Sequence, residues 1–112
     1  MTMLVILLSC FTLLLSSVHS ANYIQLGCMT EIPGRFLRAK AGVLKPNSPW
    51  HCQQFCKGYT YFGVEYGNQC FCGNQLIFPV TPSTKCTMAC EGNSLLVCGG
   101  PNAIDVYQKI LQ

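Results

Sequence analysis

Eight cysteines of this 112-residue chain have spacings that carry chemistry. Cys52 and Cys56 stand four apart, Cys70 and Cys72 two apart, and Cys86 and Cys90 four apart; Cys28 and Cys98 stand alone. Thiols so placed have three uses. They hold zinc as thiolates, attack as nucleophiles when their pKa is lowered, or pair as disulfides in an oxidising compartment. The compartment decides among them, and the N-terminus speaks for it. Leu4 to Leu15 is a nearly continuous apolar run, followed by Ser16, Ser17, Val18, His19, Ser20 and Ala21. A short apolar core with small residues three and one positions before a cut reads as a secretory signal peptide. Val18 and Ser20 fit that rule, so residues 1–20 are read as signal peptide and 21–112 as one exported domain with its core at 23–107. The apolar run spans about 18 Å as helix, short of the roughly 30 Å of a bilayer core, so no membrane span is expected in the mature chain. Cleavage removes Cys10 and leaves an even count. The expectation is disulfides, with no metal, no cofactor and no cysteine nucleophile.

A second set of residues suits sugars. Apolar faces of a pyranose stack on aromatic rings while amides or carboxylates fix its hydroxyls. Tyr61, Tyr66, Phe71 and Trp50 supply rings, and Asn68 and Gln69 supply amides beside a turn. These six are the candidate carbohydrate-binding residues. Phe71 lies between Cys70 and Cys72 and points away from their face, so it is either exposed or covered by the long loop. Catalysis is poorly supported. His51 is the single histidine after the leader, and Glu31, Glu65, Glu91 and Asp105 are far apart in sequence. Two carboxylates can still meet in space for glycoside hydrolysis, but nothing marks a pair. The chain is therefore read as a non-enzyme.

These residues need elements to hold them. Ile24, Leu26 and Cys28 alternate with Gln25 and Gly27, as in a strand with one face inward. Met29 to Asn47 reads as irregular. Ser48 to Gly58 outlines a short helix: Ser48 as N-cap, Pro49 where its missing N–H costs nothing, and Gly58 just past the end. Cys52, Phe55 and Cys56 then share one buried face. Tyr59 to Gly73 reads as a β-hairpin turning at Gly67–Asn68. Ser83 to Cys90 is a candidate second helical turn, Cys98 to Pro101 a tight turn, and Ala103 to Tyr107 a final alternating strand.

Helical thiols at i and i+4 lie roughly 6 Å apart, and strand thiols at i and i+2 about 6.6 Å apart. Two parallel bridges can thus clamp helix to hairpin, although Cys52 can meet either Cys70 or Cys72. The seven Lys and Arg against four Asp and Glu give a net charge of +3. They are scattered, which is a solvated surface rather than a nucleic-acid patch.

In these residues the chain resembles the WSC domain, a cysteine-rich module related to PAN/apple domains. The matching elements are Gly27-Cys28, Cys52-x-x-x-Cys56, and Gly58 to Glu65 with its Tyr61-Phe62-Gly63. They continue through Gly67, Cys70-Phe71-Cys72-Gly73, Cys86-x-x-x-Cys90-x-Gly92, Cys98-Gly99-Gly100 and Val106-Tyr107. The resemblance implies a small disulfide-rich α+β fold, PAN/apple-like, with an antiparallel sheet and one main helix packed on it. It implies the pairs Cys28–Cys86, Cys52–Cys70, Cys56–Cys72 and Cys90–Cys98. It also implies a secreted protein that binds a polysaccharide or a glycoprotein glycan, the other reading being an extracellular protein-interaction or matrix module.

Overall fold

The computed structural model describes residues 22–110. The proposed signal peptide, residues 1–20, lies outside them. The elements run β1 (Tyr23–Thr30), β2 (Lys40–Val43), α1 (Pro49–Phe55), β3 (Tyr61–Glu65), β4 (Gln69–Gly73), β5 (Ala89–Cys90), β6 (Asn93–Val97) and β7 (Ala103–Lys109). Five strands form an antiparallel sheet in the order β1-β7-β3-β4-β2, and β5 and β6 form a separate ribbon. This is the small α+β domain that the sequence reading expects, with one helix on an antiparallel sheet.

The helix starts where its cap chemistry says. Ser48 Oγ accepts from the His51 N–H at 3.0 Å, and Pro49 opens the first turn. Seven residues are too few for a helix to persist alone. Disulfides hold it: Cys52 is joined to Cys70 and Cys56 to Cys72, with Cα–Cα distances of 5.4 and 5.3 Å. Lys40 closes the other end, its Nζ donating to the Phe55 carbonyl at 2.9 Å and lying over the Phe55 ring. The remaining bridges, Cys28–Cys86 and Cys90–Cys98, tie the late loops to β1 and to each other.

The centre of the sheet, β7, β3 and β4, is covered on both faces. On the helix side Phe62, Val64, Cys70, Cys72 and Tyr107 are buried with the helix cysteines. On the opposite side Phe71, Ile104 and Val106 pack under Phe36 and Leu37 of the long loop. Gly63 belongs to this second face. A Cβ there would stand 2.5 Å from Ile104 Cδ1, so glycine makes room for the neighbouring strand's side chain.

Five sequence expectations are corrected. The alternation of β1 does not turn one apolar face inward: Ile24 and Leu26 are exposed, and the pairing with β7 shifts between Gln25 and Gly27. Ser83 to Cys90 forms no helical turn. The Met88 N–H donates to Gly99 O and the Cys98 N–H to Met88 O, so these backbone groups bond across to another segment instead of along a helix. The segment read as irregular contains β2, an edge strand paired with β4. The hairpin turns through Tyr66, Gly67 and Asn68, with both Tyr66 and Gly67 at positive φ. The last strand does not alternate: Ala103 to Tyr107 are all buried, because β7 lies between β1 and β3 with both faces covered.

Candidate functional site

The six candidate sugar-binding residues do not form one site. Tyr66, Asn68 and Gln69 sit at the hairpin turn. Asn47 fastens the segment before α1 to that turn, its Nδ2 donating to Gly67 O at 3.2 Å and Gln69 O at 3.3 Å. Trp50, in the first turn of α1, is therefore at the same end of the molecule. Trp50 and Tyr66 are both exposed, and Trp50 meets the His51 ring edge to face. Tyr61 is half-buried at the far end of β3 and belongs to the opposite face. Phe71 is only 6% exposed, and the Arg35 guanidinium lies 4.9 Å from its ring centroid. The long loop covers it, so its ring has no free face for a sugar. Of the two placements open to it, exposed or covered by the long loop, it takes the second.

The structure instead gathers sugar-type chemistry at the other end of α1. A groove of about 470 Å³ is lined by Asn22, Gln53, Gln54, Lys57, Tyr59 and Lys109, with Phe62 at its wall. Its construction follows from local sequence. Cys52, Phe55 and Cys56 turn one helix face to the sheet, which leaves Gln53, Gln54 and Lys57 on the other. Gly58, at φ +97°, turns the chain out of the helix and leads to Tyr59, whose N–H donates to Cys56 O. The start of β1 and the end of β7 complete the rim: Gln53 Nε2 donates to Asn22 O at 3.2 Å, and the Ile110 N–H donates to the same oxygen at 2.9 Å. Below, Phe62 stacks on Tyr107 with ring centroids 5.3 Å apart, and the Tyr23 ring meets both edge-on. Sequence reasoning did not single out this groove. The available signal was the outward helix face 53, 54 and 57, which the cysteine face defines by exclusion.

One carboxyl pair is also brought together among the described residues. Glu31 and Glu65 are buried and face one another, with the Arg35 guanidinium 3.7 and 3.8 Å from them. Burial, and then the neighbouring Glu31, push Glu65 up to about 8, against the lowering effect of Arg35. Glu31 Oε1 accepts from the Phe36 and Ile32 N–H groups at 2.6 and 3.1 Å, which anchors the loop over Phe71. Asp105 is buried on the other side of the sheet. Burial raises its pKa, while Gln25 Nε2, at 2.9 Å from both its oxygens, and the Tyr107 hydroxyl oppose the rise. Tyr107 is itself raised by burial and by the facing Asp105. The sulfurs of Cys52, Cys56 and Cys70 cluster within 4.8 Å, as metal ligands would. All three are consumed by disulfides, so none is a free thiolate.

The family model of the WSC domain matches residues 25–100. A Chaetomium globosum protein, named as a candidate fungistatic metabolite, is 42% identical over 88 residues, covering 72% of this chain and 39% of that protein. The Drosophila melanogaster xylosyltransferase oxt is 36% identical over 96 residues, or 80% of this chain and 11% of the enzyme. A WSC domain-containing protein of Arthroderma benhamiae is 35% identical over 85 residues, 73% of this chain and 12% of its own. This chain thus spans less than half the length of each of these relatives.

Proposed function

This chain belongs to the WSC domain family, and from that premise we propose that it is a secreted protein that binds a polysaccharide or glycoprotein glycan without catalysing a reaction on it. The observation that carries this reading is the groove beside α1. It lines one concavity with Tyr59, Asn22, Gln53 and Gln54, the residue types that a pyranose needs. Four disulfides suit an oxidising exterior.

The acidic residues support a role without catalysis. Glycosidase carboxyls stand about 5 Å or more apart to admit the sugar or a water. Glu31 and Glu65 face each other at hydrogen-bonding reach, and Asp105 is already engaged by Gln25 and Tyr107. The xylosyltransferase likeness covers a small part of that enzyme.

The test is retention of the full chain, expressed so that its disulfides form, on insoluble glucan, xylan, chitin and cellulose, together with a glycan array. Retention on at least one of them is expected. Failure on all would overturn the reading.

One observation favours a protein-interaction module as the second reading. Leu95, Leu96 and Val97 of β6 are exposed, Leu95 at 91%. A protein partner whose capture is lost in Leu95→Ser, with no sugar bound by the unaltered chain, would favour it.

A further inference from the structure

The net charge of +3 understates how positive the exterior is. Glu31, Glu65 and Asp105 are buried, so Glu91 is the one acidic side chain left outside. Six of the seven basic residues are exposed, and Lys109 is half-buried. Several of these cations are already committed. Arg35 lies against Glu31 and Glu65, and Lys40 caps α1. Lys57 and Lys109 are different. Both line the groove, and among the described residues no carboxylate lines it with them and neither has an ion pair.

Two ammonium groups at the edge of a site lined by a tyrosine and the amides of Gln53 and Gln54 call for a sugar that carries charge. The ring takes the pyranose face, the amides take hydroxyls, and the lysines take an anionic substituent. Lysine is a flexible point charge and imposes no bidentate geometry, so it selects a class of anion rather than one sugar. We propose that this groove prefers acidic polysaccharides, whose rings bear carboxylate or sulfate, over neutral ones. The proposal rests on the carbohydrate-binding reading above. A nucleic acid fits less well, because it asks for a stripe of basic residues tracking successive phosphates, and the cations outside the groove are scattered. Those scattered cations still raise the rate of encounter with any polyanion, over the roughly 8 Å that physiological salt allows.

The test measures affinity of the full chain for polygalacturonate and dextran sulfate, against laminarin and unmodified dextran, at low and high salt. The acidic polymers should bind more tightly, and high salt should remove the advantage. Replacing Lys57→Gln and Lys109→Gln together should weaken acidic binding about tenfold and neutral binding far less, so that the preference is lost. The control pair Lys45→Gln and Lys85→Gln, away from the groove, should have a smaller effect. Equal binding of neutral and acidic polymers would overturn the preference while leaving carbohydrate binding intact. Binding to no polymer of either kind would overturn both. An equal loss in the control pair, or equally tight binding to duplex DNA or to phosphatidylserine vesicles, would reduce the effect to surface charge and overturn the groove assignment.

Discussion

The carboxyl group of Glu65, at the end of β3, faces that of Glu31, just past β1, and the Arg35 guanidinium stands 3.7 and 3.8 Å from the two. One oxygen of each, Glu31 Oε2 and Glu65 Oε1, is buried without a hydrogen-bond partner. A single proton shared by the facing carboxyls would satisfy both. With one carboxyl neutral, Arg35 balances the remaining charge.

Stability should therefore depend on pH. Glu65 titrates at about 8 in the folded protein against an ordinary value of 4.5. A raised pKa means the folded state holds a proton that the unfolded chain has released. The contribution is complete below about 4.5 and is lost as pH rises through about 8, at up to ~1.4 kcal/mol per pH unit. Asp105, also raised by burial, adds a fall of the same sign beginning lower. The urea midpoint should thus decline between pH 5 and pH 8. Glu65→Gln, which keeps a neutral donor facing Glu31, should flatten that decline. An unchanged slope in the variant would show that the pair does not carry it.

The disulfides should rank by the loops they close. Cys28–Cys86 spans 58 residues, Cys52–Cys70 18, and Cys90–Cys98 8. Paired Cys→Ala replacement should cost about 4, 3 and 2.5 kcal/mol respectively, if restriction of the unfolded chain dominates. Denaturant unfolding of the three variants measures this. The reverse order would mean that native packing around the bridges, especially in the helix clamp, outweighs loop closure.

The clamp also shows how much of the fold was legible. The helix announces itself through Ser48, Pro49 and the i, i+4 cysteines, all local signals. β2 does not: Lys40-Ala41-Gly42-Val43 has weak strand character, and its pairing with β4 comes from a distant partner. Ser83 to Cys90 misled because its cysteines have helical spacing, while its backbone bonds go to Gly99 and from Cys98. The same limit applies to the site. The parity of Phe71 is readable from its neighbours, but its cover by Arg35 is tertiary. The groove joins Asn22, the residues around Tyr59, and Lys109, three segments with no shared local pattern.

Gly63 should be intolerant of any side chain. A Cβ there meets Ile104 Cδ1 at 2.5 Å and Cγ1 at 2.6 Å, with Asp105 O at 3.4 Å behind them. Overpacking of this kind costs about 1–3 kcal/mol, so Gly63→Ala should lower the melting temperature clearly. Ile104→Val removes the Cδ1 atom and should recover part of the loss in the double variant, beyond the sum of the single effects. Additive losses would place the strain elsewhere.

The two aromatic ends of α1 can be separated by substitution. Trp50 and Tyr66 are the exposed rings near the hairpin turn, whereas Tyr59 lines the groove with amides around it. A ring on an exposed turn gives stacking with less orientation than a residue set in a concavity among amides. Tyr59→Ala should therefore weaken polysaccharide binding several-fold more than Trp50→Ala or Tyr66→Ala. Tyr59 is half-buried against the helix-side core, so its truncation also costs stability. Tyr59→Leu keeps most of that packing and should reproduce the binding loss with a smaller loss of melting temperature. Binding that survives both Tyr59 variants and falls in Trp50→Ala or Tyr66→Ala would move the site to the hairpin turn and restore Asn68 and Gln69 as its polar contacts.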